Sequence, residues 1–358
     1  MQTKAKKLNF TGKDIYIGID VHLKSWVITL IIDGVFFKTF SQNPTALELF
    51  NYLKANFSGG NYFSVYEAGF SGYSTHRELE KYGITNIVVN PADVPTTDKD
   101  KRQKEDKRDS RKLAKSLSNG ELEGIYILSK DYEELRSLVR YRKTLTKEIG
   151  RHKNRVKSTL KFFGIAIPKE YAQASKYWSS VFSKWLKTIT TSTDNGTVVL
   201  QDTLEIVEYL RSKLLKVNRR FRELAIRSRY SSKINLLQSV PGIGLISALT
   251  FISELEKIER FKSLDKLCSY IGLIPSTNSS GEKDKVGRIT YRSNRNLRTI
   301  LVESSWVAIR QDPALILRYT ELNKRMSPNE AIIRIAKKLL NRMRYVLKNE
   351  TDYVKSIR

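Results

Sequence analysis

The stretch that decides the fold of the N-terminal third is Ile15–Ile19, IYIGI, with Asp20 directly after it. A β-rich run ending on a carboxylate predicts a strand whose tip carries an acid. Outward from it, Trp26–Ile32 and Val35–Phe40 are further β-rich runs, and Asp33-Gly34 between them is a hairpin signal. Pro44 then opens a helical pattern, TALELFNYLKANF, with Leu47, Phe50, Leu53 and Phe57 at helical spacing. A fourth strand is expected at Tyr62–Tyr66, a helix at Ser74–Tyr82, a fifth strand at Ile87–Asn90, and then a helix carrying EDKRDSRKLAKSL. This order predicts a mixed sheet covered by helices.

Composition sets the partner. The 358 residues hold 64 Lys and Arg against 37 Asp and Glu, a formal charge of +27. The corresponding pI is about 9.9. An excess of that size points to a polyanion, because each neutralised phosphate releases condensed counterions. An anionic membrane is the competing partner, but Trp26–Phe37 is too short to span and is broken by Asp33-Gly34. MQTKAKKLNF has no apolar signal segment, so the expected address is the cytoplasm, in association with the nucleoid. The single cysteine, Cys268, excludes an internal disulfide; at helical spacing with Leu264 and Ile271 it reads as a core thiol. His22, His76 and His152 lie far apart in sequence, which disfavours a Cys/His zinc site.

Beyond the first third the pattern changes. Tyr132–Phe163 carries Leu135, Leu138, Val139, Tyr141, Leu145, Ile149, Val156 and Leu160 among many Lys and Arg. Thr203–Arg229 repeats the style with Leu204, Ile206, Leu210, Leu214, Leu215 and Phe221. Two long basic amphipathic helices predict a coiled-coil arm, with 168–200 as its cap. The last third opens with LLQSVPGIGLISALTFISEL, in which Pro241-Gly242-Ile243-Gly244 separates two helices as in a helix-hairpin-helix motif. Such a turn either presents backbone N–H groups to a phosphate or is a plain tight turn. A Gly- and Ser-rich loop, Gly272–Arg288, follows, and then helix to the end. The expected organisation is 1–128, an α/β catalytic domain; 129–230, the arm; and 231–358, a mostly α-helical C-terminal domain.

The element order of the first third is that of the ribonuclease H fold, in which the first and fourth strands are parallel neighbours. Asp20 and Glu67, each ending one of those strands, would then stand side by side. Asp106 and Asp109 follow at spacing i, i+3, on one face of a helix. Singly, each has an ordinary reading: a turn residue or cap for the strand-end acids, a solvated face pairing with Arg102, Lys107 or Arg108 for the other two. Together, in this order, they make four oxygen ligands suited to Mg2+, with Mn2+ as a substitute, which prefers carboxylate and water and keeps positions open for phosphate. The basic run Lys99 through Lys115 suits a site that must hold a phosphodiester against its own acids.

GIDVHLKS, YEAGFSGY and DKRDSRKLA, then SVPGIGLISA, GLIPSTNSSG, GRITYRSNRNLR and IAKKLLNRM, together resemble the DEDD-type insertion-sequence transposases, including the bridge-RNA-guided recombinases. The resemblance covers nearly the whole chain apart from Pro168–Leu200. It implies a RuvC-like catalytic domain bearing Asp20, Glu67, Asp106 and Asp109, a coiled-coil arm and a C-terminal transposase domain. It also implies a serine nucleophile at the Ser-Gly after G-L-x-P, here Ser280 before Gly281, with Ser279 as the neighbouring alternative. Its further implications are DNA partners (donor ends and target), a structured guide RNA, and a homodimer that assembles further on DNA. Two departures stand out: Tyr291 replaces a usual Lys, and Ser293 a usual Gly. A Gly position that required positive φ would leave Ser293 strained.

Three functions compete at this point. The first is a recombinase that cuts and rejoins DNA through a serine-linked intermediate. The second is a structure-selective endonuclease with the same acids, water as nucleophile and a structural Ser280. The third is a nucleic-acid-binding protein without chemistry, which the intact acid set disfavours.

Overall fold

The computed structural model describes residues 9–95, 105–171, 173, 177–280, 283–290 and 292–355, without the side chains of 276–280 and 283–288. The chain forms two compact units, Met1–Ile127 and Leu128–Arg358.

The first unit is built on a five-stranded sheet of order β3-β2-β1-β4-β5. Its strands are β1 (Asp14–Val21), β2 (Trp26–Ile32), β3 (Val35–Gln42), β4 (Asn61–Glu67) and β5 (Thr85–Val89). The hairpin strands pair antiparallel, whereas β1–β4 and β4–β5 pair parallel. This mixed sheet, followed by helices, is consistent with a ribonuclease-H-like domain.

The central strand has two different faces because side chains alternate along it. Ile15, Ile17 and Ile19 are fully buried on one face, packed with Leu49 and Leu53 of α1 (Ala46–Asn56) and Leu79 of α2 (Ser74–Lys81). Helix α1 starts two residues after Pro44, because Thr45 is the cap and its side chain accepts from the Glu48 N–H. Its buried stripe is Ala46, Leu49 and Leu53, and Leu47 of the expected stripe is about half exposed. The other face is covered by α3 (Asp106–Ser118). There Gly18 permits close approach: a Cβ on it would lie 2.0 Å from the Ser110 carbonyl oxygen and 2.4 Å from the Ala114 nitrogen. Thr29, opposite Gly18 on β2, meets the Ser110 hydroxyl at 2.9 Å in a buried contact. Leu113 closes this side with Val65, Val89 and Val94.

The second unit begins with a long antiparallel helix pair, α4 (Lys130–Phe162) and α6 (Asp194–Ile226), each of 33 residues. Arg142 donates to the Asn218 side chain at 2.8 Å near their middle, and Asp131 at the start of α4 pairs with Arg229 beyond the end of α6. At 1.5 Å per residue each helix runs roughly 50 Å. Helix α6 starts nine residues before the expected Thr203, within the stretch read as cap. Its buried positions include Val207 and Val217, whereas Ile206 and Leu215 of the expected stripe are exposed. At the far end, α5 (Ser180–Thr188) lays Phe182 and Leu186 over Val156, Leu160, Leu200 and Leu204. Tyr171, Tyr177 and Trp185 surround the Phe182 ring.

Helices α7 (Ser231–Ser239) and α8 (Leu245–Leu255) follow, joined by the Pro241–Gly244 turn. Gly242 has φ +82°, and a Cβ there would lie 2.3 Å from the Ser304 carbonyl, so the glycine serves helix packing. Its N–H donates to Gln311, and that of Ile243 to the Val240 carbonyl. These two turn amides are therefore already satisfied within the protein. Next come α9 (Leu264–Ile271), α10 (Arg295–Ala308), α11 (Pro313–Asn323) and α12 (Pro328–Asn349). Cys268 is buried in α9, as its spacing predicts.

The Gly272–Arg288 stretch is not a loop throughout. It contains an antiparallel pair, β6 (Pro275–Ser280) and β7 (Lys283–Ile289). The turn chemistry of Gly and Ser hid two short strands whose polar composition gives no apolar alternation to read. Ser293 is not among the described positive-φ residues, so the strain considered for that position is absent. Its hydroxyl is instead buried without a hydrogen-bond partner among the described residues, against Gly272. Tyr291 lies outside the described residues.

Candidate active site

Asp20 is the penultimate residue of the central strand, one beyond Ile19, whose partner on parallel β4 is Tyr66; Glu67 follows Tyr66. Asp20 shares the face of Gly18, and Glu67 that of Val65, the partner of Gly18. Both strand-end acids therefore belong to the face covered by α3. Asp106 and Asp109 occupy the first turn of α3. The Gly18 contact and the Thr29–Ser110 contact fix that helix on the sheet, one to four residues after the two acids.

His22 stands among these groups. Its Nε2 lies 3.1 Å from an Asp20 oxygen and 3.5 Å from an Asp106 oxygen. One ligand atom from each of Asp20, His22 and Asp106 falls within 4.8 Å of the others. Glu67 and Asp109 are outside that group of three; Asp109 lies 3.5 Å from the Lys112 ammonium. Burial raises the Asp20 carboxyl above the ordinary carboxylate range; His22 opposes this by charge and hydrogen bond, and Asp106 and Asp109 add to it by repulsion. A half-buried acid such as Asp20, repelled by neighbouring acids, is stabilised in its charged form by a cation, and this donor set fits a hard divalent ion with one nitrogen ligand. Sequence reading left His22 unassigned. Its signal was the i, i+2 spacing from Asp20, which places both on one face of an extended strand end.

Ser280 and Ser279 are adjacent residues at the end of β6, paired with Lys283 and Asp284 of β7 respectively. Gly281 lies outside the described residues. Beyond the hairpin, Arg298 donates to the Thr290 carbonyl at 2.7 Å and so ties β7 to α10. Sequence reading also missed Glu254, which is 1% exposed and receives Arg140 through two bonds of 2.9 Å each. Asn294 of the GRITYRSNRNLR motif donates to the same carboxylate at 3.0 Å. Burial alone would raise the Glu254 carboxyl, but hydrogen bonds and charge from Arg140, helped by Asn294, hold it below the usual range.

Among the described residues, no helix is long and apolar enough to cross a membrane. Comparison with known proteins gives two family matches. Residues 17–165 match the DEDD transposase family of the IS110 type, and residues 234–320 match the Transposase IS116/IS110/IS902 family. The first span contains Asp20, Glu67, Asp106 and Asp109, and the second contains Ser279 and Ser280. A candidate transposase of Sinorhizobium fredii is 30% identical over 68% of this chain, which spans 58% of that relative's length. A second from the same organism is 26% identical over 91% of this chain and 90% of its own length. The transposase for insertion sequence element IS1533 of Leptospira borgpetersenii is 23% identical over 82% of this chain and 85% of its own. With two family matches covering both units, and relatives aligned along most of its length, the chain belongs to the DEDD family of insertion-sequence transposases, DNA-acting enzymes.

Proposed function

We propose that this transposase cuts and rejoins DNA at insertion-sequence ends and at a target. Asp20, Glu67, Asp106 and Asp109 would hold Mg2+, or Mn2+ in its place, and Ser280 would be the nucleophile. The observation that carries the reading is the gathering of Asp20, His22 and Asp106 within 4.8 Å, on the sheet face that Glu67 shares. Bound divalent cations supply charge neutralisation to a phosphodiester and its leaving oxygen. The chain's own part is to hold that phosphate. The acids fix the cations, the basic residues around α3 offset phosphate charge, and Gly18 keeps Asp106 and Asp109 at the sheet. In the joining chemistry the Ser280 hydroxyl gives up its proton to a base and forms a new P–O bond. The deoxyribose oxygen leaves and takes a proton. A second exchange, with a DNA hydroxyl attacking the serine ester, frees the serine and closes the new strand.

The reading extends to partners and organisation. The +27 charge supports nucleic-acid binding. We read the long helix pair as a coiled-coil arm between a RuvC-like domain and a C-terminal domain, and propose a structured guide RNA and a dimer that assembles further on DNA. The decisive test is a denaturing gel after incubation with labelled insertion-sequence ends. A covalent protein–DNA adduct that depends on Ser280 and on all four acids supports the recombinase. Cleavage without any adduct makes water the nucleophile and the protein an endonuclease.

A further inference from the structure

Helices α4, α8 and α10 enclose a cavity of about 410 Å3, inside the ~300–1,000 Å3 range of small-molecule sites. All its lining residues belong to the second unit. Its walls are aliphatic: Val139 from α4, Ile246 from α8 and Ile300 from α10. Its floor is formed by buried Thr250 and by Glu254, whose charge is matched by Arg140. Its mouth is cationic, with Lys143 and Lys147 exposed and Arg142 half-buried beside them.

The partners of these groups define what the cavity can take. Arg140 spends two donors on Glu254, and Arg142 is turned to Asn218. Lys143 donates to the Asn296 oxygen, which leaves the amide N–H side of Asn296 to donate to a guest. Lys147 has no partner among the described residues. An anion cannot sit deep in the cavity, because the Glu254 carboxylate is there and its cation is already engaged. Negative charge therefore belongs at the mouth, and an uncharged body inside. A purely apolar guest would make no use of the cations, and a bare phosphodiester no use of the aliphatic hole. A nucleotide uses both.

We propose that this cavity receives one unstacked nucleotide of a single-stranded nucleic acid. The base lies between Ile246 and Ile300, and the flanking phosphate lies at Lys143 and Lys147. The inference rests on the reading of the chain as a nucleic-acid enzyme, but it concerns binding and needs no cleavage. Its failure would leave the carboxylate chemistry untouched.

The test is photocrosslinking of the full chain with tetranucleotides carrying 4-thiothymidine, or 4-thiouridine on a ribose backbone, followed by peptide mapping. Crosslinks within 139–147, 246–254 or 296–300 are expected, and the sugar that gives more of them identifies the strand as DNA or RNA. Thr250→Met fills the floor without changing charge and should lower that yield about tenfold, the equivalent of ~1.4 kcal/mol. Lys147→Gln should weaken binding and reduce the salt slope by about 0.7, the value for one single-strand phosphate. An abasic tetranucleotide should bind the wild-type chain about tenfold more weakly than tetrathymidylate. Crosslinks confined to other segments overturn the proposal. Equal affinity for the abasic and normal strands does so too, and it requires no variant to fold.

Discussion

The carbonyl oxygen of Ser110 occupies the space that a side chain on Gly18 would need, 2.0 Å from an ideal Cβ. The obstructing atom is backbone on the helix that carries Asp106 and Asp109, so it cannot be moved by a rotamer change. Gly18→Ala should therefore destabilise the first unit by about 1–3 kcal/mol and displace α3. Thermal unfolding would show a lower midpoint, and strand cleavage would fall with it. An unchanged midpoint with full cleavage would mean that α3 does not need this approach.

His22 bridges Asp20 and Asp106 but is not one of the four acids. His22→Ala should weaken Mn2+ affinity about 10–100-fold, the range for residues that orient or supplement metal ligands. Titration calorimetry with Mn2+ reads this without any substrate. Wild-type affinity in the variant would reduce His22 to a bystander.

The cations of the long helix pair are not equivalent. Arg151 already pairs with Glu148, and Lys153 lies over the Trp178 ring of the cap. Arg155 is exposed and has no such partner among the described residues. Arg155→Glu should lower the log–log salt slope of duplex binding by about 0.9 or more with little change in stability. Lys153→Glu should also loosen the cap, visible as faster amide exchange in α5. Equal slopes for wild type and Arg155→Glu would remove Arg155 from the nucleic-acid surface.

Ser280→Ala should abolish both recombination and the covalent adduct while leaving metal and nucleic-acid binding intact. Ser279→Ala should remain nearly normal. The reverse pattern would keep the serine mechanism and move it by one residue, to the partner of Asp284.

Arg140→Met should cost about 1–3 kcal/mol, because it removes the two hydrogen bonds of a half-exposed cation to the buried Glu254 carboxylate while Asn294 remains. Glu254 has a depressed carboxyl, so its contribution to stability is full above the ordinary carboxylate pKa and is lost as pH falls through the folded value. The variant should therefore lose part of the acid-side decline in stability. Parallel pH–stability curves for wild type and variant would contradict this.

Much of the first unit was legible because IYIGID announces both a strand and an acid at its tip, and the element order fixes which strands are neighbours. The sheet order and the parallel β1–β4 pairing follow that reading. What sequence could not supply is contact over distance. Glycine is equally at home in turns, so Gly18 gave no sign that it faced a helix some 90 residues later. His22 needed the position of Asp106 to gain meaning. On α6, Val207 and Val217 rather than Ile206 and Leu215 face inward, because only the partner helix decides which of several adjacent apolar residues is covered. The β6–β7 pair was hidden by its polar composition.

The helix pair of the second unit carries one more consequence. A rod of roughly 50 Å matches about 15 base pairs of duplex at 3.4 Å per step. The cap built on Phe182 at its tip therefore lies about one and a half helical turns of DNA from the base of the rod. A duplex bound alongside would present opposite grooves to the two ends, so in the proposed nucleic-acid complex the rod would set the spacing between two contacts on one strand pair.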